Sequence, residues 1–354
     1  MALKIMVWNA QHFDNQSSST HSQAFTEKRD FLKQYLAQQS DIDILVFLET
    51  GKTGNINQSL TSEVYNLPGN FVPVVHLTQE GGFTKNTTLG ISTFVREDKK
   101  GQVGLPDFEY VLGDQERRAP VILKHQTGKY LAFYHANANE NTSFGHIRDA
   151  IQFIHQEVGD DLIFFGGDLN HDYYSMNDSI GHLKKLGPVG VGYTHSKFTL
   201  VETKTLHLDV ARRYEGLINR HGLARAFNSH YGNLTEEKKN ILKAPTTTQK
   251  SKARVLKITT RLQELDTAFA YVDAHFDRQY SVHEGSETHE SVVVTNRFLD
   301  YAFVHNTSDW QAVCHGSVAV HTSAVLGVTS TQRLCDNVLM RSDHFPVIYT
   351  CTAL

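Results

Sequence analysis

Ser342-Asp343-His344-Phe345 stands just ahead of the apolar run Val347–Tyr349, and three upstream stretches share its pattern. Gly167-Asp168-Leu169-Asn170 follows the apolar run Leu162–Phe165. Leu299-Asp300-Tyr301 opens the run Tyr301–Val304, and Leu48-Glu49-Thr50 closes Ile44–Phe47. Short runs rich in Val, Ile, Phe and Tyr, bounded by Gly, Asn or Asp, predict strands. A buried strand has no room for a charge along its length. Its ends are therefore where a sheet-based protein gathers polar groups.

Further strand-like runs are Ile5–Trp8, Leu89–Val95, Val121–Lys124, Tyr130–Tyr134 and Val292–Val294. Between some of them lie helical patterns. Phe25–Gln38 carries Phe31, Leu32, Tyr35 and Leu36 on one face, and Ile147–Gln156 carries Ile147, Ile151 and Ile154. Strands interleaved with a few helices predict a layered α/β protein with two packed sheets and helices outside.

The 354 residues suffice for a substantial core, and 40% hydrophobic with 20% charged residues is ordinary globular composition. The net charge of −4 is unevenly spread: Lys197 to Arg278 carries 15 Lys/Arg against 9 Asp/Glu. A basic segment in an otherwise acidic chain is a candidate polyanion contact, with a solvated helical face as the competing reading. Cys314, Cys335 and Cys351 are too few for a disulfide framework or a zinc site, and at most one pair can bridge. Met1 runs directly into Leu3–Trp8, leaving no room for a signal peptide, and no apolar stretch approaches the roughly 20 residues of a spanning helix. The expectation is a soluble protein, cytoplasmic or exported without a recognisable signal.

The segment from about 196 to 291 differs from its surroundings. Leu206–Leu223 is amphipathic, Pro245 marks a loop, and Val255–Phe269 is again helical in period. It reads as a basic helical insertion between two core strands of a single domain spanning 1–354.

Hydrolysis of a phosphodiester needs an activated water, positive charge on the phosphoryl oxygens and help for the leaving oxygen. Glu49 at a strand end, with Asn9 ending the first strand, suits Mg²⁺, which takes oxygen ligands and keeps several waters. His344 can take a proton from water near neutral pH if a carboxylate fixes its tautomer, and Asp300 is the candidate for that. Asp168 and Asn170 offer an acceptor and an amide to water and phosphate. His135, after another strand, can donate to a phosphoryl or leaving oxygen. Arg118, just before Pro120 and a strand, is placed for a bidentate phosphate clamp. Singly these residues read as turns, loop histidines and surface charge. The ordered set, each member at a strand end, carries the reading. His283, His289, His315 and His321 match no metal-ligand spacing and read as surface or loop residues.

The motifs Arg118-Ala119-Pro120-Val121, His135-Ala136-Asn137-Ala138, Leu299-Asp300-Tyr301-Ala302 and Ser342-Asp343-His344-Phe345-Pro346-Val347 resemble the endonuclease/exonuclease/phosphatase superfamily. Within it they are most similar to the nuclease subunit of cytolethal distending toxins. Leu48-Glu49-Thr50 and Asn137 also resemble the abasic-site endonucleases. The resemblance covers nearly all of the chain outside the insertion. It implies a four-layered sandwich of two mixed β-sheets flanked by helices, the fold of pancreatic-type deoxyribonucleases. It further implies Mg²⁺, with Mn²⁺ as the alternative, held by Glu49 and Asn9 with Asp343 close by. His344 with Asp300, and His135, are then the catalytic histidines, while Asp168 and Asn170 position water and phosphate and Asn137 binds substrate. Two features depart from the pattern. Lys85–Gly90 lacks the glutamate that deoxyribonucleases place beside their first histidine, and the insertion separates Asp168 from Asp300 far more widely than in compact members.

The function expected from these readings is a sequence-tolerant DNA endonuclease. The alternative is a phosphatase or phospholipase-C-like hydrolase of inositol phosphate, phosphoinositide or sphingomyelin. Val294–Asp300 does not match the inositol 5-phosphatase signature, and no exposed aromatic hairpin for a membrane is evident. A silent binding protein on the same fold is the third reading, opposed by the filled metal and acid–base positions.

Overall fold

In the computed structural model the described residues are 2–10, 13, 19–50, 63–77, 90–108, 118–138, 140–186, 194–200, 234–244, 248–277, 285–289, 292–317 and 344–354. The first half of the chain forms β1 (Ala2–Asn9), α1 (Ser19–Gln38), β2 (Ile44–Leu48), β3 (Phe71–Leu77), β4 (Ile91–Arg96), β5 (Val103–Gly104), β6 (Val121–His125), β7 (Tyr130–His135), α2 (Glu140–Val158) and β8 (Leu162–Asp168). Then follow β9 (Ser179–Ile180), β10 (Leu183–Leu186), β11 (His195–Leu200), α3 (Gln249–Asp277), β12 (Gly285–His289), β13 (Val292–Arg297), β14 (Asp300–Val304), β15 (Trp310–Ser317) and β16 (Val347–Ala353).

One sheet has the order β15-β16-β1-β2-β4-β3 and a second the order β5-β6-β7-β8-β14-β10-β9. Each contains one parallel pair, β1 with β2 and β7 with β8, and the remaining ladders are antiparallel. A parallel pair needs a crossover, and α1 and α2 supply the two. This is the predicted α/β sandwich of two mixed sheets.

Alternation along the strands builds the layers. Leu3, Ile5 and Val7 of β1 face Leu123, Leu131, Phe133 and Phe164 of the other sheet in one buried cluster. Trp8 points the opposite way, against Phe31 of α1, with ring centroids 5.6 Å apart. On the far face of the second sheet, Ala132, Tyr134 and Phe165 pack on Ile147, Ile151 and Ile154 of α2, the face expected from the sequence. Helix, sheet, sheet and helix make four layers. Because both faces of the central strands are covered, they read as continuous apolar runs.

Among the described residues, the segment at 196–291, expected as a helical insertion, contains strands as well as helices. β11, β13 and β12 form a third, antiparallel sheet, and a helical stretch over 234–243 and α3 lie between its strands in sequence. The amphipathic Leu206–Leu223 and Pro245 lie outside the described residues, as does Asp343. Cys314 and Cys351 are buried and form no disulfide among the described residues, and Cys335 lies outside them. Among the described residues no helix is long and apolar enough to cross a membrane.

Candidate active site

The parallel strands β1, β2, β7 and β8 all point their carboxyl ends the same way, and the candidate residues collect there. Asn9 ends β1, Glu49 follows β2, His135 ends β7 and Asp168 ends β8. Register aligns them laterally: His135 pairs with Asp168, and Asp300, the first residue of β14, pairs with Asp168 from the other side. His344 arrives just before β16. Open α/β sheets bind ligands at this edge, where strand ends leave polar groups uncovered.

Asn9 joins the two sheets. Its side-chain Nδ2 donates to Asp168 Oδ2 at 2.8 Å and to Glu49 Oε1 at 3.1 Å. The amide nitrogen thus clamps two carboxylates at the mouth of the interface. Glu49 itself adopts φ 62°, a left-handed conformation that is strained for a side chain of its size. Main-chain bonds hold it there: Phe13 N–H donates to Glu49 O at 3.0 Å, and Thr50 N–H to Gly90 O at 2.9 Å. Asn170 also has positive φ, which Asn tolerates. Its N–H donates to Asp168 Oδ1 at 3.0 Å and its side-chain amide to Ala136 O at 3.0 Å. Asp168 is therefore fixed through both oxygens.

His344 and Asp300 form a buried pair, Nδ1 donating to Oδ2 at 2.8 Å. That bond selects the tautomer with a lone pair on Nε2, which lies 3.6 Å from Asp168 Oδ2. Burial pushes the Asp300 carboxyl up, to about 6; the His344 partner opposes the shift and Asp168 adds to it. Trp8 Nε1–H donates to His344 O at 3.1 Å, tying the histidine backbone to β1.

His135 lies with Nε2 3.5 Å from Asp168 Oδ2 and 3.7 Å from Glu49 Oε1. Its Nδ1 is buried and has no hydrogen-bond partner among the described residues. A proton there would be stranded, so it resides on Nε2, facing the carboxylates. Burial, then Arg118 and His344, hold the His135 pKa well below its ordinary value, so the ring is a neutral N–H donor. The Arg118 guanidinium is half-buried, and its Nη1 donates to Ala136 O at 2.6 Å and His135 O at 3.3 Å. Burial lowers its pKa while Asp168 and Glu49 oppose that, and a guanidinium stays charged regardless. Asn137 is half-buried in the same turn after β7.

The structure thus brings together Asn9, Glu49, Arg118, His135, Asn137, Asp168, Asn170, Asp300 and His344 at one sheet edge. Asp343 and the stretch Lys85–Leu89 lie outside the described residues. Two residues escaped the sequence reading. The Thr194 hydroxyl accepts the backbone N–H groups of Leu299 at 3.0 Å and Asp300 at 2.9 Å, and Phe345 N–H donates to Thr194 O at 2.7 Å. His195 bridges to His344 through the backbone, with ring centroids 4.8 Å apart. No local pattern flags either, since every partner is distant in sequence.

Asp168, Asp300 and His344 place one ligand atom each within 4.8 Å of one another. The direct Asp300–His344 bond makes that pair an orienting dyad, which leaves Glu49, with the Asn9 side chain beside it, as the oxygen donor best placed for a cation. Three carboxylates meet one guanidinium and a neutral histidine here, a surplus of negative oxygen that fits a hard divalent ion.

No family model matches the chain, and no curated protein matches it in sequence. Solved structures resemble it in fold. A truncated TDP2 of Caenorhabditis elegans is 12% identical with a TM-score of 0.47, covering 100% of this chain and 98% of its own. An endonuclease/exonuclease/phosphatase family protein of Bacteroides thetaiotaomicron is 13% identical with a TM-score of 0.47, covering 100% and 99%. The cytolethal distending toxin of Haemophilus ducreyi is 12% identical with a TM-score of 0.41, covering 98% and 97%. Likenesses of that depth carry no argument about activity, and the functional reading rests on the side chains themselves.

Proposed function

We propose that this chain is a Mg²⁺-dependent phosphodiesterase, a sequence-tolerant endonuclease acting on DNA, built as one catalytic domain with an insertion. The observation that carries the reading is the His344–Asp300 pair, at 2.8 Å, with the other ring nitrogen of His344 3.6 Å from the carboxylate of Asp168. Glu49 and Asn9 would hold the metal, with Asp343 as a further ligand. When bound, it supplies positive charge to the phosphoryl oxygens; Mn²⁺ would serve the same donor set.

The residues divide the remaining work. Asp300 orients His344 and stabilises its imidazolium, and His344 Nε2 takes the proton of a water held also by Asp168. Asn170 and Asn9 fix the two oxygens of Asp168, so the water is aimed by a rigid acceptor. His135 offers a neutral Nε2–H to a phosphoryl or leaving oxygen, and no proton has to leave a charged ring for it to do so. Arg118, with Asn137 beside it, gives the cleft its fixed positive charge toward phosphate. The basic insertion favours a long polyanionic substrate over a small phosphomonoester.

The test is a panel of supercoiled plasmid, RNA, phosphoinositide and sphingomyelin vesicles, each incubated with Mg²⁺ or with chelator. Plasmid should be nicked with Mg²⁺ and left intact with chelator, and His344→Ala should lower the rate by about 10²–10⁴. Full activity in His344→Ala would remove the base from the mechanism. Lipid hydrolysis with intact plasmid would transfer the same chemistry to a membrane substrate.

A further inference from the structure

At the opposite end of β8 from Asp168 lies a second convergence of ligating side chains. His155 belongs to the last turn of α2, Asp160 to the one-turn 3-10 helix Gly159–Asp161 that follows it, and His182 to the turn between β9 and β10. β8 spans seven residues, which places the cluster about 20 Å from the candidate active site at roughly 3.3 Å per residue. Asp160 Oδ1 lies 3.9 Å from His155 Nδ1 and 3.9 Å from His182 Nδ1, and the three ligand atoms fall within 4.8 Å of one another.

The protonation pattern points to a cation. His182 Nε2 is bonded to Leu162 O at 2.9 Å, and a carbonyl only accepts, so that nitrogen carries the proton. Burial holds the His182 ring below its ordinary pKa, with His305 and His155 adding to the shift and the Leu162 carbonyl and Asp160 opposing it. Its Nδ1 is then a bare lone pair, buried, and without a hydrogen-bond partner among the described residues. It faces a carboxylate oxygen. Two acceptors turned toward each other repel unless positive charge sits between them. The Nε2–H to carbonyl bond is also the outer contact that orients metal-binding histidines. His305 completes the frame, its Nδ1 donating to Asp160 O at 3.1 Å and its ring edge-on to His182 at 4.9 Å.

We propose that His155, Asp160 and His182 form a metal site for a zinc-class divalent ion, which staples the C-terminus of α2 to the β9–β10 edge of the second sheet. Two imidazoles and one carboxylate are a borderline donor set that suits zinc and not Mg²⁺. Tetrahedral zinc with bonds of about 2.0–2.1 Å holds its ligands roughly 3.4 Å apart, so small side-chain movements close the site. The fourth position is left to water.

The full chain, in excess Mg²⁺, would be titrated with zinc chloride by calorimetry, and its thermal unfolding followed with and without zinc. His155→Gln and Asp160→Asn alter exposed residues and should leave the zinc-free protein folded, as circular dichroism would show. Wild type should bind one zinc more than either variant, or bind it about 10–100-fold more tightly, as the removal of even outer-shell partners produces. Zinc should raise the melting temperature of wild type alone. Glu49→Gln, altered in the cleft, should keep both effects. Equal zinc uptake and equal thermal response in wild type and both variants would overturn the assignment. So would a zinc ion lost only with Glu49→Gln.

Discussion

At the residue scale, Asp300 holds two demands that pull apart. Burial raises its carboxyl pKa to about 6 from an ordinary 3.8, with His344 opposing. A carboxyl raised on folding makes the folded state bind more protons, so this group's contribution to stability is present at acid pH and lost as pH rises through about 6. The proposed catalysis needs the reverse, because only the ionised form carries the negative charge that stabilises a charged His344. Asp300→Asn keeps an acceptor oxygen at the same place and never ionises. Its stability relative to wild type should therefore rise between about pH 5 and about pH 8, while turnover falls about a hundredfold or more. Urea midpoints and initial rates at both pH values check this. A variant less stable than wild type throughout, or fully active, would show that the carboxylate is neither costly nor needed.

At the element scale, the joint between β7 and β8 sets the cleft. Gly167 has φ 149°, and a Cβ there would stand 2.0 Å from Tyr134 O, a backbone atom that cannot yield. Gly167→Ala should cost about 1–3 kcal/mol or more and displace the neighbouring Asp168, lowering stability and activity together. Gly101→Ala is the matched control, since nothing lies within 4 Å of its Cβ position and the change should stay within about 0.5 kcal/mol. Urea unfolding of both variants decides it, and an unperturbed Gly167→Ala would mean the joint is looser than its geometry. The same joint explains what the sequence made legible. β1, β2, β7, β8 and β14 are covered on both faces, so their apolar runs stand out, and each releases its polar residue at the end. Strands at or next to the sheet edges were harder to see. β3 carries Pro73 beside a bulge, β10 reads Leu-Lys-Lys-Leu, and β5 and β9 are two residues each, so none keeps a clear period. Thr194 was illegible for another reason: its bonds reach Leu299 and Asp300 across more than 100 residues.

At the scale of the whole molecule, the insertion is rooted in the cleft. β11 begins at His195 beside His344, and β13 runs through Phe298-Leu299 into Asp300. Strands β11 and β12 stand within the segment expected from periodicity to be a helical insertion, and β13 joins that segment in sequence to Asp300. Its cations are not equivalent. Arg254 is half-buried and forks onto Glu237 at 2.7 and 2.9 Å, bracing α3 against the stretch 234–243. Lys239 pairs with Glu236 at 3.1 Å but is exposed, as are Lys243, Lys250, Lys252 and Lys257. If these five lysines track phosphates, replacing them with Gln should weaken binding of long DNA and flatten its salt dependence, by roughly one unit of log–log slope for each phosphate no longer neutralised. Hydrolysis of a small chromogenic phosphodiester should hold, because such a substrate reaches the cleft without meeting the insertion. Arg254→Gln should instead loosen the helical pair and leave the salt slope nearly unchanged. A solvated face predicts no change in either binding or slope for the lysine variant. Equal loss on long and small substrates would make the insertion a structural support of the His344–Asp300 pair, acting through its β11–β13 root.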